Sequence, residues 1–82
     1  MKSLRGKIIQ DLEAIFRQKM VGEFRLTYWN FDLSFEAYFE KGKYRMEVFL
    51  ATDMLLQEMG FIYHISKIEE FVDYILDTLE EE

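Results

Sequence analysis

The chain has no cysteine, no proline and a single histidine. Without cysteine there is no disulfide framework and no thiol nucleophile, a usage that fits a reducing, cytoplasmic setting. One histidine, His64, offers little to a serine triad, and zinc needs three or four ligands at suitable spacing. His64 lies in the apolar stretch FIYHI and reads as a structural side chain. The four glycines, at 6, 22, 42 and 60, are too scattered for a phosphate-cradling loop and act as punctuation. Ser3 and Ser66 stand where helix caps are needed, and Ser34 falls in a strand pattern. No catalytic residue, cofactor site or metal site is therefore expected, and the chain reads as non-enzymatic. No apolar run approaches the ~20 residues of a membrane span. The opening MKSLRGKIIQDLEAIF spaces its apolar residues with charges, so no signal-peptide core is expected there.

What is present is apolar and acidic. Half of the 82 residues are hydrophobic and 17% are aromatic, which is the composition of one folded domain, 1–82. The net charge of −6 is unevenly spread: residues 1–20 carry +3, residues 21–50 carry −1 and residues 51–82 carry −8. That balance argues against direct binding to nucleic acid or to an anionic membrane.

Leu4, Ile8, Ile9, Leu12, Ile15, Phe16 and Met20 recur at three- and four-residue spacing and predict an amphipathic helix, with Ser3 at its start and Gly22 past its end. From Glu23 the period becomes two. Phe24, Leu26 and Tyr28 share one face, then Leu33, Phe35, Ala37 and Phe39, then Tyr44, Met46, Val48 and Leu50. A turn at Lys41-Gly42 pairs Phe39 with Tyr44, Ala37 with Met46 and Phe35 with Val48. A turn at Asn30-Phe31 pairs Leu26 with Phe35 and Arg25 with Glu36. Both registers bury the same face, so an antiparallel meander is expected.

Thr52 or Asp53 is placed to cap a short helix, DMLLQEMG, and FIYHI (61–65) reads as a short fourth strand or an extended link. SKIE is a capping-box pattern, Ser66 with Glu69, opening a helix whose stripe is Ile68, Phe71, Val72, Ile75, Leu76 and Leu79. The expected fold is α+β, in the order α-β-β-β-α-(β)-α. A three-stranded antiparallel meander, with room for a short fourth strand, is covered on one face by the N- and C-terminal helices.

Two surfaces then stand out. The uncovered sheet face presents Trp29, Tyr38 and Phe49 among Arg25, Glu36, Arg45 and Glu47, and aromatic residues exposed in this way mark protein contacts. An RNA-stacking sheet is the weaker reading, since RNP motifs are absent and the face carries glutamates. The last helix offers Glu69, Asp73, Asp77, Glu80 and Glu81. The first, fifth and ninth positions of this stretch share one face, at a small like-charge cost. That acid is either solvated, offset by the basic first helix through Lys7, Arg17 or Lys19, or presented to a basic partner. In composition the chain resembles small acidic proteins that block nucleic-acid-handling enzymes, of the anti-restriction, anti-CRISPR or nuclease-immunity kind. Its helix–meander–helix order resembles small dimeric secretion chaperones in topology. The expectation is a protein-binding module that inhibits a nucleic-acid-binding enzyme through its acidic face. The alternative is a structural or chaperone-like homodimer that uses the aromatic sheet face.

Overall fold

The computed structural model describes residues 3–81. Along the chain run helix α1 (Leu4–Gln18), strands β1 (Gly22–Thr27), β2 (Asp32–Glu40), β3 (Lys43–Ala51) and β4 (Leu56–Ile62), a 3-10 turn at Ile65–Lys67 and helix α2 (Ile68–Glu80). The strands form one antiparallel sheet in sequence order, β1-β2-β3-β4.

The period-two residues point inward. Leu33, Phe35 and Ala37 of β2, Met46, Val48 and Leu50 of β3, and Ile62 of β4 are all buried. Against them pack Ile8, Leu12, Ile15 and Phe16 of α1 and Ile68, Val72 and Ile75 of α2, so both helices share one core with one sheet face. Each large side chain removed from water contributes about 1.5–3 kcal/mol, which offsets the ordering entropy of so short a chain. Ser3 caps α1 by accepting a hydrogen bond from the Gly6 amide.

Sequence reasoning and structure differ at four places. The α1 cap falls at Lys19, which takes the left-handed conformation (φ 52°), while Gly22 opens β1 instead. A lysine in that conformation is strained relative to glycine, and the Lys19 ammonium lies over the Phe16 ring at 4.4 Å, a compensating contact.

The first hairpin closes at Trp29-Asn30, where the Tyr28 amide donates to the Phe31 carbonyl. Leu26 therefore faces Leu33, and Phe24 faces Phe35, two residues away from the expected register. Even-numbered slips keep every side chain on its face, and this one lets Phe31 leave the turn, stack on Tyr28 and become buried. The second hairpin has the expected register throughout, Glu40 opposite Lys43 to Phe35 opposite Val48.

In place of the short helix 53–60 the chain makes β4, and the sheet has four strands. Between Val48 and Phe49 the pairing slips, because β4 carries an extra residue: Val48 faces Gly60 and Phe49 faces Glu58. This bulge breaks the alternation, so that Leu55, just before the strand, and Met59 and Ile62 within it fall at helix-like intervals. Gly60, with φ +116°, supplies the bend, and its backbone lies beneath the Phe71 ring. Finally, α2 begins after a 3-10 turn with Lys67 at its N-cap and no side-chain capping bond, so the Ser66–Glu69 capping box is not made.

Candidate protein-binding surfaces

The acidic face of α2 is divided by its surroundings. Arg5 of α1 reaches across and donates from Nε to Asp73 Oδ1 at 2.7 Å and from a terminal nitrogen to Asp73 Oδ2 at 3.3 Å. The same nitrogen lies 3.5 Å from Glu69. Two of the candidate residues are thus held by the first helix, through an arginine that sequence reasoning had not singled out. The Arg5 hydrogen bond and charge lower the Asp73 pKa below the usual aspartate range. Asp77, Glu80 and Glu81 are exposed near the C-terminal end of α2, and no described residue forms an ion pair with them. Glu82, the last of the terminal glutamates, lies outside the described residues.

The aromatic set of the open sheet face is also divided. Trp29 is 98% exposed in the β1–β2 turn, beyond the sheet face rather than on it. Tyr38 and Phe49 are half-buried on that face. Arg45 occupies the ring surfaces around Tyr38: its guanidinium carbon stands 5.5 Å from the Tyr38 centroid, 4.4 Å from Phe61 and 4.9 Å from Tyr63. It also pairs with Glu40 and donates to the Tyr63 hydroxyl at 2.9 Å. This packing uses the rings as a seat for an arginine and leaves less of them free for stacking on another molecule. His64, read from the sequence as a structural side chain, is exposed.

The same face holds a group of carboxylates. The strand register sets Glu23 opposite Glu36 and Glu36 opposite Glu47, so three glutamates stand side by side across β1, β2 and β3, about 5 Å apart. Glu58 of β4, which faces Phe49, joins them, near enough for hydrogen bonding to act on the titration of Glu47. Hydrogen bonding to Glu58, burial and the charges of Glu58 and Glu36 raise the Glu47 pKa, while Arg45 partly opposes the shift. Next to this row Glu23, Arg25, Ser34, Glu36 and Phe49 line a shallow hollow.

Sequence reasoning came close to this group and missed it. It placed Glu36 and Glu47 on the open face and gave the pairing of β2 with β3 that joins them. The two-residue error in the first hairpin set Arg25 against Glu36, an apparently satisfied pair, where Glu23 stands instead. Glu58 was hidden in the expected helix. Among the described residues no group of His, Cys, Asp or Glu is arranged to hold a metal ion, and no helix is long and apolar enough to cross a membrane. No family model matches the chain, and no curated protein or solved structure is significantly similar to it.

Proposed function

We propose that this chain is a non-enzymatic binding module that docks on a basic, nucleic-acid-handling protein and blocks its nucleic-acid site with an acidic surface. The observation that carries this reading is the glutamate row on the open face. The register sets Glu23, Glu36 and Glu47 opposite one another across three strands, and Glu58 stands beside them on β4. Like charges placed opposite one another weaken a sheet, and a lysine- or arginine-rich surface relieves that repulsion on binding. The net charge of −6 works in the same direction over longer range and speeds encounter with a cationic partner. Asp77, Glu80 and Glu81, which form no ion pair with a described residue, extend the negative surface onto α2, whereas Glu69 and Asp73 are already offset by Arg5.

The homodimer reading has less support on this face, because a two-fold interface sets each patch against its own copy and would bring the glutamate rows together. The test is affinity capture from a lysate, followed by competition of each captured protein with duplex DNA or RNA. The expected partner is lost when Glu36, Glu47 and Glu58 are changed to lysine, releases nucleic acid when the chain binds, and binds more weakly as salt rises. Capture unaffected by the triple reversal and by salt would show the reading to be wrong.

A further inference from the structure

The end of the molecule where the β1–β2 turn meets the β3–β4 loop is unusually apolar for an exposed surface. Trp29 is 98% exposed, Met54 is 92% exposed and Leu56, in the last row of the sheet, is 80% exposed. Single exposed apolar residues are ordinary, whereas three large ones gathered at one end call for a covering surface. The end is also concave. Three shallow hollows adjoin there and all are lined by Asn30: one runs along the β1–β2 turn to Asp53, the next reaches Met54 and Leu79, and the third passes from Leu79 to Leu4. Among the described residues every charged side chain lining them is acidic, namely Asp32, Asp53 and Glu80. The C-terminal end of α2 points the negative end of its dipole at the same place.

We infer that this tip is the anchor of the partner interface, and that it takes a protein surface with an apolar pocket rimmed by lysine or arginine. Trp29 is the side chain that enters the pocket, since a tryptophan surrounded by a polar rim is the usual form of an interface hot spot. Charge selects the occupant. A second copy docked tip to tip by a two-fold axis would set Asp32, Asp53 and Glu80 against themselves, with no base among the described lining residues to offset them. An anionic lipid surface or a nucleic acid meets the same repulsion. The inference rests on the reading of the chain as a binder of a basic protein, and it adds where the contact is centred and that the contact is apolar as well as electrostatic.

Trp29 is the only tryptophan in the chain, so its fluorescence reports on the tip alone. The probes are a helical peptide of lysine and leucine with one apolar face, and a lysine-only peptide of equal charge. The expected result is that the first peptide shifts Trp29 emission to the blue, shields it from acrylamide and moves amide resonances of residues 29–32, 52–56 and 76–81. The second should bind at least tenfold more weakly and leave Trp29 accessible. Trp29→Ala and Met54→Ala should each weaken the lysine–leucine peptide about tenfold. Both side chains are exposed, so the two variants keep the melting temperature of the parent chain.

Failure of the peptide to bind, or binding that leaves Trp29 open to acrylamide, would overturn the inference. So would a doubling of mass in solution that Trp29→Ala reverses, because the occupant would then be a second copy. If Glu36→Lys with Glu47→Lys abolishes peptide binding while Trp29→Ala does not, the tip is wrong and the acidic-face reading survives. If Trp29→Ala weakens it and the lysine reversals do nothing, the tip stands and the sheet-face reading falls.

Discussion

Asp73 on α2 and Glu47 on β3 are both outward-facing acids, yet they sit in opposite electrostatic states. Asp73 is held by Arg5 from a neighbouring helix, and its carboxylate is favoured. Glu47 stands between Glu36 and Glu58, and its pKa is raised above the usual glutamate range. The difference reverses what charge counting along the chain suggests. Residues 51–82 carry −8 and residues 21–50 only −1, but the strongest crowding of acid is centred on a residue of the nearly neutral block. Strand alternation sorts side chains by face and register sorts them by neighbour, and neither is visible in a sum over sequence.

Removing the frame that keeps the two groups apart should have the largest effect. Phe35→Ala empties the centre of the covered face and is expected to cost about 3–5 kcal/mol, a large part of the total stability of a domain this small. Denaturant unfolding measures it, and a loss under about 1 kcal/mol would mean that the core is not centred on β2.

Breaking the satisfied side comes next. Arg5→Ala should lower the melting temperature by roughly 2–4 °C, since the pair is about half exposed and screened by water. It should also move the Asp73 carboxyl resonance in a pH titration back toward the usual aspartate range, while leaving that of Glu47 in place. Relieving the crowded side has the opposite sign and a smaller size: Glu47→Gln should raise the melting temperature at neutral pH slightly. A clear fall would show that the Glu47–Glu58 pair stabilises the sheet rather than straining it.

The smallest effect is the pH dependence, where the two sites part most clearly. The raised Glu47 pKa contributes stability that is complete below the ordinary glutamate range and is lost as pH rises through its folded value. The advantage of Glu47→Gln over the parent chain should therefore grow from pH 4 to neutrality. The lowered Asp73 pKa contributes stability present above the ordinary aspartate range and lost as pH falls through its folded value. The disadvantage of Asp73→Asn should shrink as the solution is acidified below that range. Melting curves of both variants over one pH series check the pair of signs.

Where the hydrophobic period ran unbroken, the fold was legible. The α1 stripe, the α2 stripe and the β2–β3 register all follow from it, and the structure has them in place. Failure came where one residue altered the count. Met59 and Gly60 at the bulge turned a strand into a helical pattern, and the burial of Phe31 moved a turn that polarity had placed one residue later. The candidate surfaces were harder still, because their surroundings depend on residues distant in sequence. Arg5 and Asp73 are 68 residues apart, and nothing local in either segment announces their contact. Trp29 is exposed, as the sequence suggests, but its place beyond the sheet depends on the position of the turn.

The order of the strands has a further consequence, for the time course of folding. Each strand pairs with its sequence neighbour, so the sheet is assembled from three hairpins that close short loops at little entropic cost. The α1–α2 contact is of another kind. It joins residues from opposite ends of the chain, with Arg5 meeting Asp73 and Leu4 lining the same hollow as Leu79. A meander formed early and clasped late by its two helices would leave the Arg5–Asp73 pair unmade in the transition state, so that its loss speeds unfolding and leaves the folding rate nearly untouched.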